Sequence, residues 1–498
     1  MRIEPKSGYT LVLDQGSQSS RAIVYSAAGD ELHAAQVAVS THRDSGERVE
    51  QDPAEIVGSL KTAIADAVTD INPKLITKVG LATQRSSIVC WNHVTGKTLS
   101  PIISWQDRRA ADWLAQFHEH RARVQQLTGL LLSPHYGVSK MRWCLDNLPD
   151  VQHCLEQDEL TIGSLSSYLQ YALLDERPLC VDPANASRTL LYDCRNMDWS
   201  DELLQLFGIP AAVLPACVPT IHDFGYLRVA GLNVPLSLTT GDQSAALFAS
   251  GDVDPATVYA NLGTGAFVQR SSGNRVEQIE GLLCSVVYQD DEQTQYVVEG
   301  TVNGAGSALT YVTNELQRGE LQLEHKEVVA HLPEWLANTA SPPLFLNGVS
   351  GLGAPWWVPD FPTQFLGDGT PAEKVVAVIE SIVFLMQVNF ETMYLKCPQT
   401  LATGSAQRWV VSGGLANLDG LCQRMADLSG LTVVRPDINE GTCRGVWHLL
   451  NRRSNTTQPK YTATVFESRN DQGLFERYSR WRYAMAEVIN SGSGLLVR

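Results

Sequence analysis

The residues best suited to chemistry lie in two short turns, about half a chain apart. The first turn, Asp14–Ser17, follows the apolar run Thr10–Leu13, and the second, Asn261–Gly265, follows Thr257–Ala260. Each pattern predicts an apolar strand, a tight turn in which glycine takes a positive φ, and a second strand. Backbone N–H groups in such turns can converge on one point and bind an anion. The two turns therefore predict two phosphate sites, one in each half of the chain.

Either turn alone is typical of an ordinary β-hairpin. The presence of two turns favours another interpretation, in which two lobes grip one polyphosphate between them. Asp14 supports this interpretation, because a carboxylate in the first turn would repel the phosphate unless a cation lay between them. The cation that we expect there is Mg²⁺.

The composition is that of a globular protein and excludes several functions. The chain has 498 residues, 44% hydrophobic and 18% charged, which is long for a single core, so we expect at least two domains. The net charge is −16 and no long run of Lys or Arg occurs, which argues against nucleic-acid binding. No apolar run reaches the roughly 18 residues of a membrane span, so we expect no membrane partner.

The cysteines and the first residues indicate a compartment. The ten cysteines form no CxxC pair and no zinc-site spacing, and several, such as Cys90, lie in apolar stretches. This pattern is typical of core thiols in a reducing cytoplasm. Residues 1–10 are polar and lack the apolar core of a signal peptide. We therefore expect a cytoplasmic protein.

Both halves predict a β-meander followed by helices and strands. The meanders cover residues 9–39 and 257–298, and a helix capped by Asp52 covers Pro53–Val68. The further predicted elements are strands over Val79–Ala82, Ile88–Trp91, Ile102–Trp105, Trp409–Val411 and Leu431–Val434, and helices over Arg108–Phe117, Ser139–Asn147, Gly306–Leu316 and Leu418–Leu428.

The repeated order of elements predicts an α/β protein with two related domains, which change over near residues 241–251. Polar clusters follow several of the strands. Ligands in such sheets bind at the carboxyl ends of strands, so we place the site there. The polar segment 451–460 predicts a surface loop.

Asp242 lies at this changeover, after the strand-like run 236–240 and before a helix-like run that begins at Ser244. One interpretation is that Asp242 caps the helix, which is a frequent role for Asp. The other is that it acts as a general base, because an ionised carboxylate can accept a proton from a hydroxyl group. The sequence leaves both interpretations open.

Three further residue groups follow strands on the same side. Arg85 and Trp105 would suit a small polyhydroxy molecule, with a guanidinium as hydrogen-bond donor and an indole as a flat wall. Taken alone, they are more typical of a surface ion pair and the edge of a core. Gly413 and Gly414 could let the ring of a nucleotide base approach the backbone, although a simple turn is the more frequent explanation.

Taken together, these residues resemble the FGGY family of carbohydrate kinases, and its glycerol kinases most closely, along essentially the whole chain. No single motif is decisive, but ten motifs in the same order are highly specific. The motifs are Asp14-Gln15-Gly16 with Ser19 to Val24, Glu50-Gln51-Asp52-Pro53, Gln84-Arg85, Trp105 to Arg109, Lys140 with Trp143, Asp146 and Asn147, Asn185 to Thr189, Gly241-Asp242-Gln243, Gly263-Thr264-Gly265, Gly351 to Pro355, and Ser412-Gly413-Gly414.

The resemblance implies an α/β fold with two lobes of the actin/hexokinase (ribonuclease H-like) type, each lobe a mixed sheet with flanking helices. We expect an N-terminal domain over residues 1–247, which holds the acceptor and the first phosphate loop, and a C-terminal domain over residues 248–498, which holds the second phosphate loop and adenine. The resemblance also implies ATP-dependent transfer of the γ-phosphoryl group to a hydroxyl of a small polyol or sugar. We further expect a homo-oligomer, a dimer.

The resemblance assigns roles residue by residue. Asp242 would be the general base and Asp14 would approach Mg²⁺, so both count as catalytic. The expected acceptor-binding residues are Arg85, Ser86, Trp105, His135, Asp242 and Gln243. The expected ATP-binding residues are Gly16, Ser17, Gln18, Arg21, Gly263, Thr264, Gly265, Gly413 and Gly414.

The sequence departs from glycerol kinases at several positions. Ser86 replaces a Glu and His135 replaces a Tyr, and a hydroxyl cannot bridge two substrate hydroxyls as a carboxylate can. Ser166 stands in place of an Asp, Gln18 in place of a Thr, and Trp447 in place of a small residue. We therefore expect intact kinase chemistry with a remodelled acceptor pocket.

Two other functions compete with a kinase. A non-catalytic regulator that retained the fold would bind nucleotide or sugar without turnover, and the departures motivate it. A chaperone-type or filament-type ATPase would share the fold, but the two lobes use nearly all of the length and leave no separate peptide-binding domain. Asp14 and Asp242 favour the kinase.

Overall fold

Two lobes, each built on a mixed sheet with flanking helices, make up the protein in the computed structural model, which describes residues 8–44, 46–317, 324–395, 406–453 and 461–492. The first lobe consists of β1 (Tyr9–Gln15), β2 (Ser19–Tyr25), β3 (Glu31–Ala38), β4 (His42–Arg43), β5 (Val49–Gln51), α1 (Pro53–Ala67), β6 (Ile76–Thr83), β7 (Ile88–Asn92), β8 (Ile102–Ile103), α2 (Ala111–Ala115), α3 (Arg121–Thr128), α4 (Gly137–Asn147), α5 (Pro149–Glu156), β9 (Leu160–Ser164), α6 (Leu165–Leu173), β10 (Cys180–Val181), α7 (Pro183–Ala186), β11 (Tyr192–Asp193), β12 (Asp198–Trp199), α8 (Asp201–Phe207), β13 (Ala216–Cys217), β14 (Tyr226–Leu227), β15 (Val234–Gly241) and α9 (Asp242–Ala246).

The second half of the chain consists of β16 (Thr257–Leu262), β17 (Ala266–Gly273), β18 (Leu283–Gln289), β19 (Thr294–Val302), α10 (Gly306–Gln317), α11 (His325–Asn338), β20 (Leu344–Leu346), β21 (Gln364–Leu366), α12 (Pro371–Leu395), β22 (Arg408–Ser412), α13 (Asp419–Ser429), β23 (Thr432–Pro436), α14 (Gly441–Asn451), β24 (Ala463–Phe466) and α15 (Gln472–Gly492). The first predicted meander is confirmed, because β1, β2 and β3 pair in order. The second is wrong in its pairing, because β19 lies between β17 and β18 in the sheet. The predicted helices that correspond to α1, α4, α10 and α13 are confirmed.

The sheet of the first lobe brings three polar strand ends to one edge. Its six strands run in the order β14-β15-β6-β1-β2-β3, and β6 is parallel to both β1 and β15. Thr83, the last residue of β6, pairs with Gln15 on one side and with Gly241 on the other. Arg85 and Asp242, which follow these strands, therefore lie beside the first glycine turn.

The sheet of the second lobe repeats this arrangement. Its seven strands run in the order β18-β19-β17-β16-β22-β23-β24, with β16 antiparallel to β17 and parallel to β22. Asn261, at the second glycine turn, pairs with Ser412 at the end of β22. The second turn and the Gly413–Gly414 segment therefore share one edge of this sheet.

A five-stranded sheet in the order β4-β5-β8-β7-β9 extends the first lobe. Two predicted elements are wrong in extent here. The strand predicted over residues 102–105 ends at residue 103, and the helix predicted over residues 108–117 covers only α2. The backbone turns between the two elements, where the Asp107 N–H donates to the Ser104 carbonyl at 3.0 Å and the buried Asp107 carboxylate accepts the Val49 N–H at 2.7 Å.

Helix α14 comes from the second half of the chain but packs against the first lobe. Val446 and Trp447 join a buried cluster to which β1, β2, β6 and α9 also contribute. The approach depends on glycine: a Cβ at Gly445 would overlap the carbonyl group of Ala245, and a Cβ at Gly80 would overlap the side chain of Val446. Helix α14 therefore joins the two lobes through close backbone contact.

Helix α12 is the one helix among the described residues that is long and apolar enough to cross a membrane by length and composition, and 83% of its apolar window is buried inside the protein. The nine described cysteines are free, and all except Cys217 are buried, as expected of core thiols. Cys397 and residues 454–460 of the predicted loop lie outside the described residues.

We expect Gly445→Ala to destabilise the protein by roughly 1–3 kcal/mol, because the added methyl group would force α14 away from α9. Gly58→Ala is the matched control, since Gly58 also lies inside a helix but has open space at its Cβ position. Alanine is the better helix former, so Gly58→Ala should stabilise the protein by up to about 1 kcal/mol. Thermal-unfolding midpoints of the two variants test this contrast. A Gly445→Ala protein as stable as the parent would show that the lobes do not depend on this contact.

Candidate active site

A cleft of about 440 Å³ lies between the two lobes. The first lobe contributes Asp14, Arg21 and Gln243 to its walls, and the second contributes Gly413 and Gly414. Predicted site residues from distant parts of the sequence thus lie around one cavity. Other lining residues include Asn261, Phe267, Gln269, Arg435, Asn439 and Glu440.

The two glycine turns are hairpin turns, and the corresponding pair of strand residues that flanks each turn lines this cleft. Asp14 pairs with Arg21 across β1 and β2, and Asn261 pairs with Phe267 across β16 and β17. All four residues line the cleft. The hairpin interpretation is thus right about the local geometry, and the shared cleft supports the interpretation of a two-lobed grip.

The prediction that glycine gives these turns a positive φ is wrong. Gly16, Gly263 and Gly265 do not have a positive φ. Gly265 is required by close packing instead, because a Cβ there would lie 3.0 Å from a carbonyl oxygen of β19. The positive φ occurs at Gly413, where it is 90°, and a Cβ at that position would lie 2.6 Å from the carbonyl oxygen of Leu262. Gly413 therefore packs directly against the second turn.

Asp14 lies in a concentration of negative charge that its arginine partner does not balance. Its side chain is 14% exposed, and its Oδ2 lies 3.7 Å from Nη1 of Arg21, which also pairs with Glu440 from the second half of the chain. Burial raises the pKa of Asp14 to about 7, and Asp242 adds to this effect while Arg21 opposes it. A cation bound beside Asp14 would stabilise the charged carboxylate.

The donor set around Asp14 fits one kind of metal site. The described residues contain no group of three or more His, Cys, Asp or Glu side chains that could hold a metal ion. Mg²⁺ is usually held by one or two carboxylates together with substrate phosphates, and not by an all-protein cage. A single buried carboxylate beside a turn of backbone N–H groups is suited to that arrangement.

Asp242 is the first residue of α9, and Gly241 occupies the N-cap position, so the capping interpretation is wrong. The Oδ1 of Asp242 accepts the Gln243 N–H at 2.7 Å and lies 3.8 Å from Nε of Arg85. Burial raises the pKa of Asp242, and the Arg85 guanidinium opposes this rise. Protein atoms surround the carboxylate, yet its side chain is still 31% accessible. Asp242 is therefore both sheltered and reachable by a substrate.

The predicted acceptor residues form two hydrogen-bonded groups. In the first, Arg85 donates to the Oε1 of Gln243. In the second, Nε1 of Trp105 donates to the Ser17 hydroxyl at 3.0 Å, and this hydroxyl donates to Oε1 of Gln84 at 3.2 Å. Ser17, which the resemblance assigned to ATP, thus has its side chain on the acceptor group.

His135 lies beside Trp105, with ring centroids 6.4 Å apart, and its Nε2 is 2.9 Å from Nη2 of Arg108. Burial and the neighbouring Arg108 guanidinium lower the pKa of His135 to about 4, so the imidazole is neutral near pH 7 and accepts from Arg108. Ser86 is buried and has a φ of 65°, an uncommon conformation for serine.

The remaining predicted residues lie outside the two acceptor groups. Gly263 and Thr264 accept backbone N–H groups at the start of α10, and Gln18 is exposed. Ser166 is buried, with its Oγ 2.8 Å from Oγ of Ser164. Trp447 packs in the contact between the lobes, so its bulk does not enter the acceptor pocket.

The sequence analysis missed three charged residues as site components. Glu440 pairs with Arg21, and Arg188 pairs with Glu299 at 3.4 Å. Arg188 belongs to the motif Asn185 to Thr189. The partners of Glu440 and Arg188 are 419 and 111 residues away along the sequence, so no local pattern could reveal either pair.

Comparison with known proteins decides the family. The sequence model for the N-terminal domain of the FGGY family of carbohydrate kinases matches residues 9–249, and the model for the C-terminal domain matches residues 258–452. The chain belongs to the FGGY family of carbohydrate kinases. It is therefore a phosphotransferase that uses an alcohol group as acceptor.

Curated relatives of this FGGY kinase cover most of its length. Glycerol kinase from Citrifermentans bemidjiense is 34% identical over 448 residues, which are 88% of each chain. Glycerol kinase 1 from Pseudomonas aeruginosa is 32% identical over 510 aligned residues, covering 97% of this chain and 99% of that one.

Solved structures confirm the two-lobed fold. The crystal structure of Plasmodium falciparum glycerol kinase with ADP has a TM-score of 0.87 at 22% identity and covers 96% of this chain and 98% of its own. Xylulose kinase from Rhodospirillum rubrum has a TM-score of 0.83 at 18% identity, with coverage of 96% and 98%.

The raised pKa of Asp14 predicts how the stability of the folded protein changes with pH. Between about pH 4 and pH 7 the unfolded chain loses the Asp14 proton while the folded protein keeps it, so the folded state loses stability as the pH rises through this window. The loss is at most about 1.4 kcal/mol per pH unit. Asp14→Asn removes it, so the stability gain from this substitution should be larger at pH 8 than at pH 5.

Thermal-unfolding midpoints of Asp14→Asn and the parent protein, measured without nucleotide or metal at both pH values, test this prediction. Asp66→Asn on the exposed face of α1 is the control for the change of charge. If the midpoints of Asp14→Asn and the parent protein differ by the same amount at pH 5 and pH 8, the raised pKa of Asp14 is contradicted.

Proposed function

We propose that this FGGY kinase transfers the γ-phosphoryl group of ATP to a hydroxyl of a small polyol or sugar. The observation that carries the proposal is the cleft that both glycine hairpins line, with Asp242 close enough to Asp14 to raise its pKa. Phosphoryl transfer needs positioning and charge stabilisation more than it needs covalent chemistry from the protein. Arg21 and Asp14, which line the cleft, together with Asp242, which acts on Asp14, are suited to supply both.

Each part of the nucleotide has a suitable partner in the cleft. Gly414 has open space at its Cβ position, and with Gly413 it offers flat backbone to adenine. Arg21 and the turns at Gly16 and residues 263–265 would bind phosphates through guanidinium and backbone N–H groups. Mg²⁺ would neutralise charge on the phosphate oxygens. The ADP in the Plasmodium falciparum glycerol kinase structure supports ATP as the donor here.

Asp242 is the proposed general base. Arg85 and Gln243 hold the acceptor, and its hydroxyl oxygen attacks the γ-phosphorus while the hydroxyl proton passes to Asp242. One oxygen–phosphorus bond forms, the bond from the γ-phosphorus to the bridging oxygen breaks, and ADP leaves. Because the base must be ionised, activity should fall as the pH drops through the pKa of Asp242, which burial raises above its usual value.

We propose that the acceptor pocket differs from that of glycerol kinases. Ser86 supplies a short neutral side chain, and His135 supplies a neutral imidazole beside the indole of Trp105. A pocket with more room and fewer carboxylates is suited to a polyol or sugar larger than glycerol.

The alternative of a non-catalytic regulator is not favoured by a specific feature of the site. Asp14 and Asp242 lie close together, and Trp447, one of the departures that motivated the regulator, packs between the lobes. The magnesium site, the homodimer and the cytoplasmic location remain predictions.

We expect Asp242→Asn to lower kcat by roughly 10²–10⁴-fold with little effect on nucleotide binding, because only proton transfer is lost. The measurement is ADP formation with Mg²⁺ and ATP across glycerol, four-carbon and five-carbon polyols, and ketoses. An acceptor larger than glycerol should give the highest kcat/KM. Asp252→Asn is the matched control, since Asp252 lies ten residues further on and pairs with His448 on the surface.

Either of two results would overturn the proposed function. One is that no acceptor raises ADP formation above background ATP hydrolysis. The other is that Asp242→Asn retains the activity of the parent protein. A highest kcat/KM with glycerol would overturn only the proposal of a remodelled pocket.

A further inference from the structure

A chain of buried charged and polar side chains leads from Asp242 into the second lobe. Arg85 lies beside Asp242, and Arg188 comes next from the first lobe. Nη2 of Arg188 lies 3.4 Å from Oε1 of Glu299 on β19, and Oε2 of Glu299 accepts from Nε2 of Gln269 at 2.6 Å. Gln269 lines the nucleotide cleft. The Arg188–Glu299 pair thus crosses between the lobes, and Arg188 is close enough to the proposed base to lower its pKa.

A gain in stability does not explain why the Arg188–Glu299 ion pair is buried. The side chains of Arg188 and Glu299 are only 7% and 1% exposed, and ion pairs this deeply buried contribute little net stability. Nε of Arg188 is buried without a hydrogen-bond partner among the described residues, and Arg85 lies close enough to repel it. An unpaired buried N–H and two neighbouring guanidinium groups both cost free energy. Their position close to Asp242 indicates a functional reason for them.

We propose that Arg188 is a positioning residue for phosphoryl transfer, which acts on Asp242 through its charge and through Arg85, and that Glu299 of the second lobe holds it in place. This inference rests on the proposed role of Asp242 as the base. Because the pair joins the two lobes, the base has its working environment only when the lobes are in contact at this point.

The charges that face Asp242 come from several elements. Arg85 follows β6 and lowers the pKa of Asp242, and Arg188, after α7, lowers it as well. Asp14 on β1 repels the Asp242 carboxylate. Glu299 stands behind Arg188 and carries the opposite charge, so its effect on Asp242 opposes that of Arg188.

Substitution of the two partners therefore has effects of opposite sign. Arg188→Met removes a positive charge, so the acid limb of the kcat/KM profile for the acceptor should move to higher pH. Glu299→Gln leaves Arg188 uncompensated, so the limb should move to lower pH. We expect shifts of at least about 0.5 pH unit, below the 1–3 units that a charge within 4–6 Å produces. Arg188→Lys keeps the charge and should restore most of the profile.

A second buried ion pair, which lies away from the cleft, is the matched control for the loss of a buried ion pair. Arg477 and Glu380 lie 2.8 Å apart in the second lobe, with side chains 10% and 2% exposed. Arg477→Met and Glu380→Gln should lower thermal stability without moving the acid limb, because neither residue lies near the cleft. If Arg188 and Glu299 served only the fold, their variants would behave like these controls.

A second measurement is available for variants whose turnover is too slow for a pH profile of activity. The difference in thermal stability between each protein and its Asp242→Asn counterpart, followed against pH, locates the pKa of Asp242 without any catalysis. The same opposite shifts should appear there.

Shifts in the same direction, or no shift in either measurement, would overturn the inference. That failure is distinct from failure of the proposed function: an Asp242→Asn variant that is inactive, together with unshifted Arg188 and Glu299 variants, would leave Asp242 as the base and remove only its positioning partners.

Discussion

The organisation of this protein depends on a carboxylate that its own chain leaves uncompensated. Asp14 is buried beside Asp242 and near Glu440, and Arg21 is divided between Asp14 and Glu440. A buried charge without enough partners is costly, and the group responds by holding a proton near neutral pH. A ligand that brings a cation to this point would relieve the cost, which supports the proposal that the cleft binds a metal-bound polyphosphate. The same charge would disfavour binding of a bare phosphate.

Close packing at glycines helps to place Asp14 between the two lobes. Backbone contacts that a Cβ would block occur where α14 meets α9 at Gly445 and where Gly413 lies on the second turn. Each contact brings the end of a strand or the start of a helix against the cleft. The parallel register of β1, β6 and β15 then aligns their carboxyl ends. The positions of the site residues follow from sheet pairing and close packing, with little contribution from long flexible loops.

The arrangement also separates two tasks. Under the proposed function, Arg21, Gly413 and Gly414 in the cleft serve the nucleotide, whereas Arg85, Gln243, Trp105 and His135 serve the acceptor. Two of the departures from glycerol kinases, Ser86 and His135, lie next to Arg85 and Trp105. The proposed function thus assigns the donor and the acceptor to different groups of residues in one site.

Local patterns were sufficient for the two glycine hairpins, for most strands of the two main sheets and for α1, α4, α10 and α13, because alternation and turn residues are properties of short segments. They also marked Asp242 and Gly413, which directly follow strands. They gave the wrong reason for Gly265, because its close neighbour on β19 is not visible in the sequence near it. The pairs Arg21–Glu440 and Arg188–Glu299 join segments that only the folded sheets bring together. The packing of α14 on the first lobe was missed for the same reason.

The most direct test of the central claim is a crystal structure of the protein with Mn²⁺ and a non-hydrolysable ATP analogue, with the metal located by anomalous scattering. The account predicts one strong anomalous peak beside Asp14, bound directly or through a water, with the phosphates between the two glycine hairpins and adenine at Gly413 and Gly414. A nucleotide bound outside the cleft, or a metal ion that has no contact with Asp14 while the phosphates occupy it, would contradict the account.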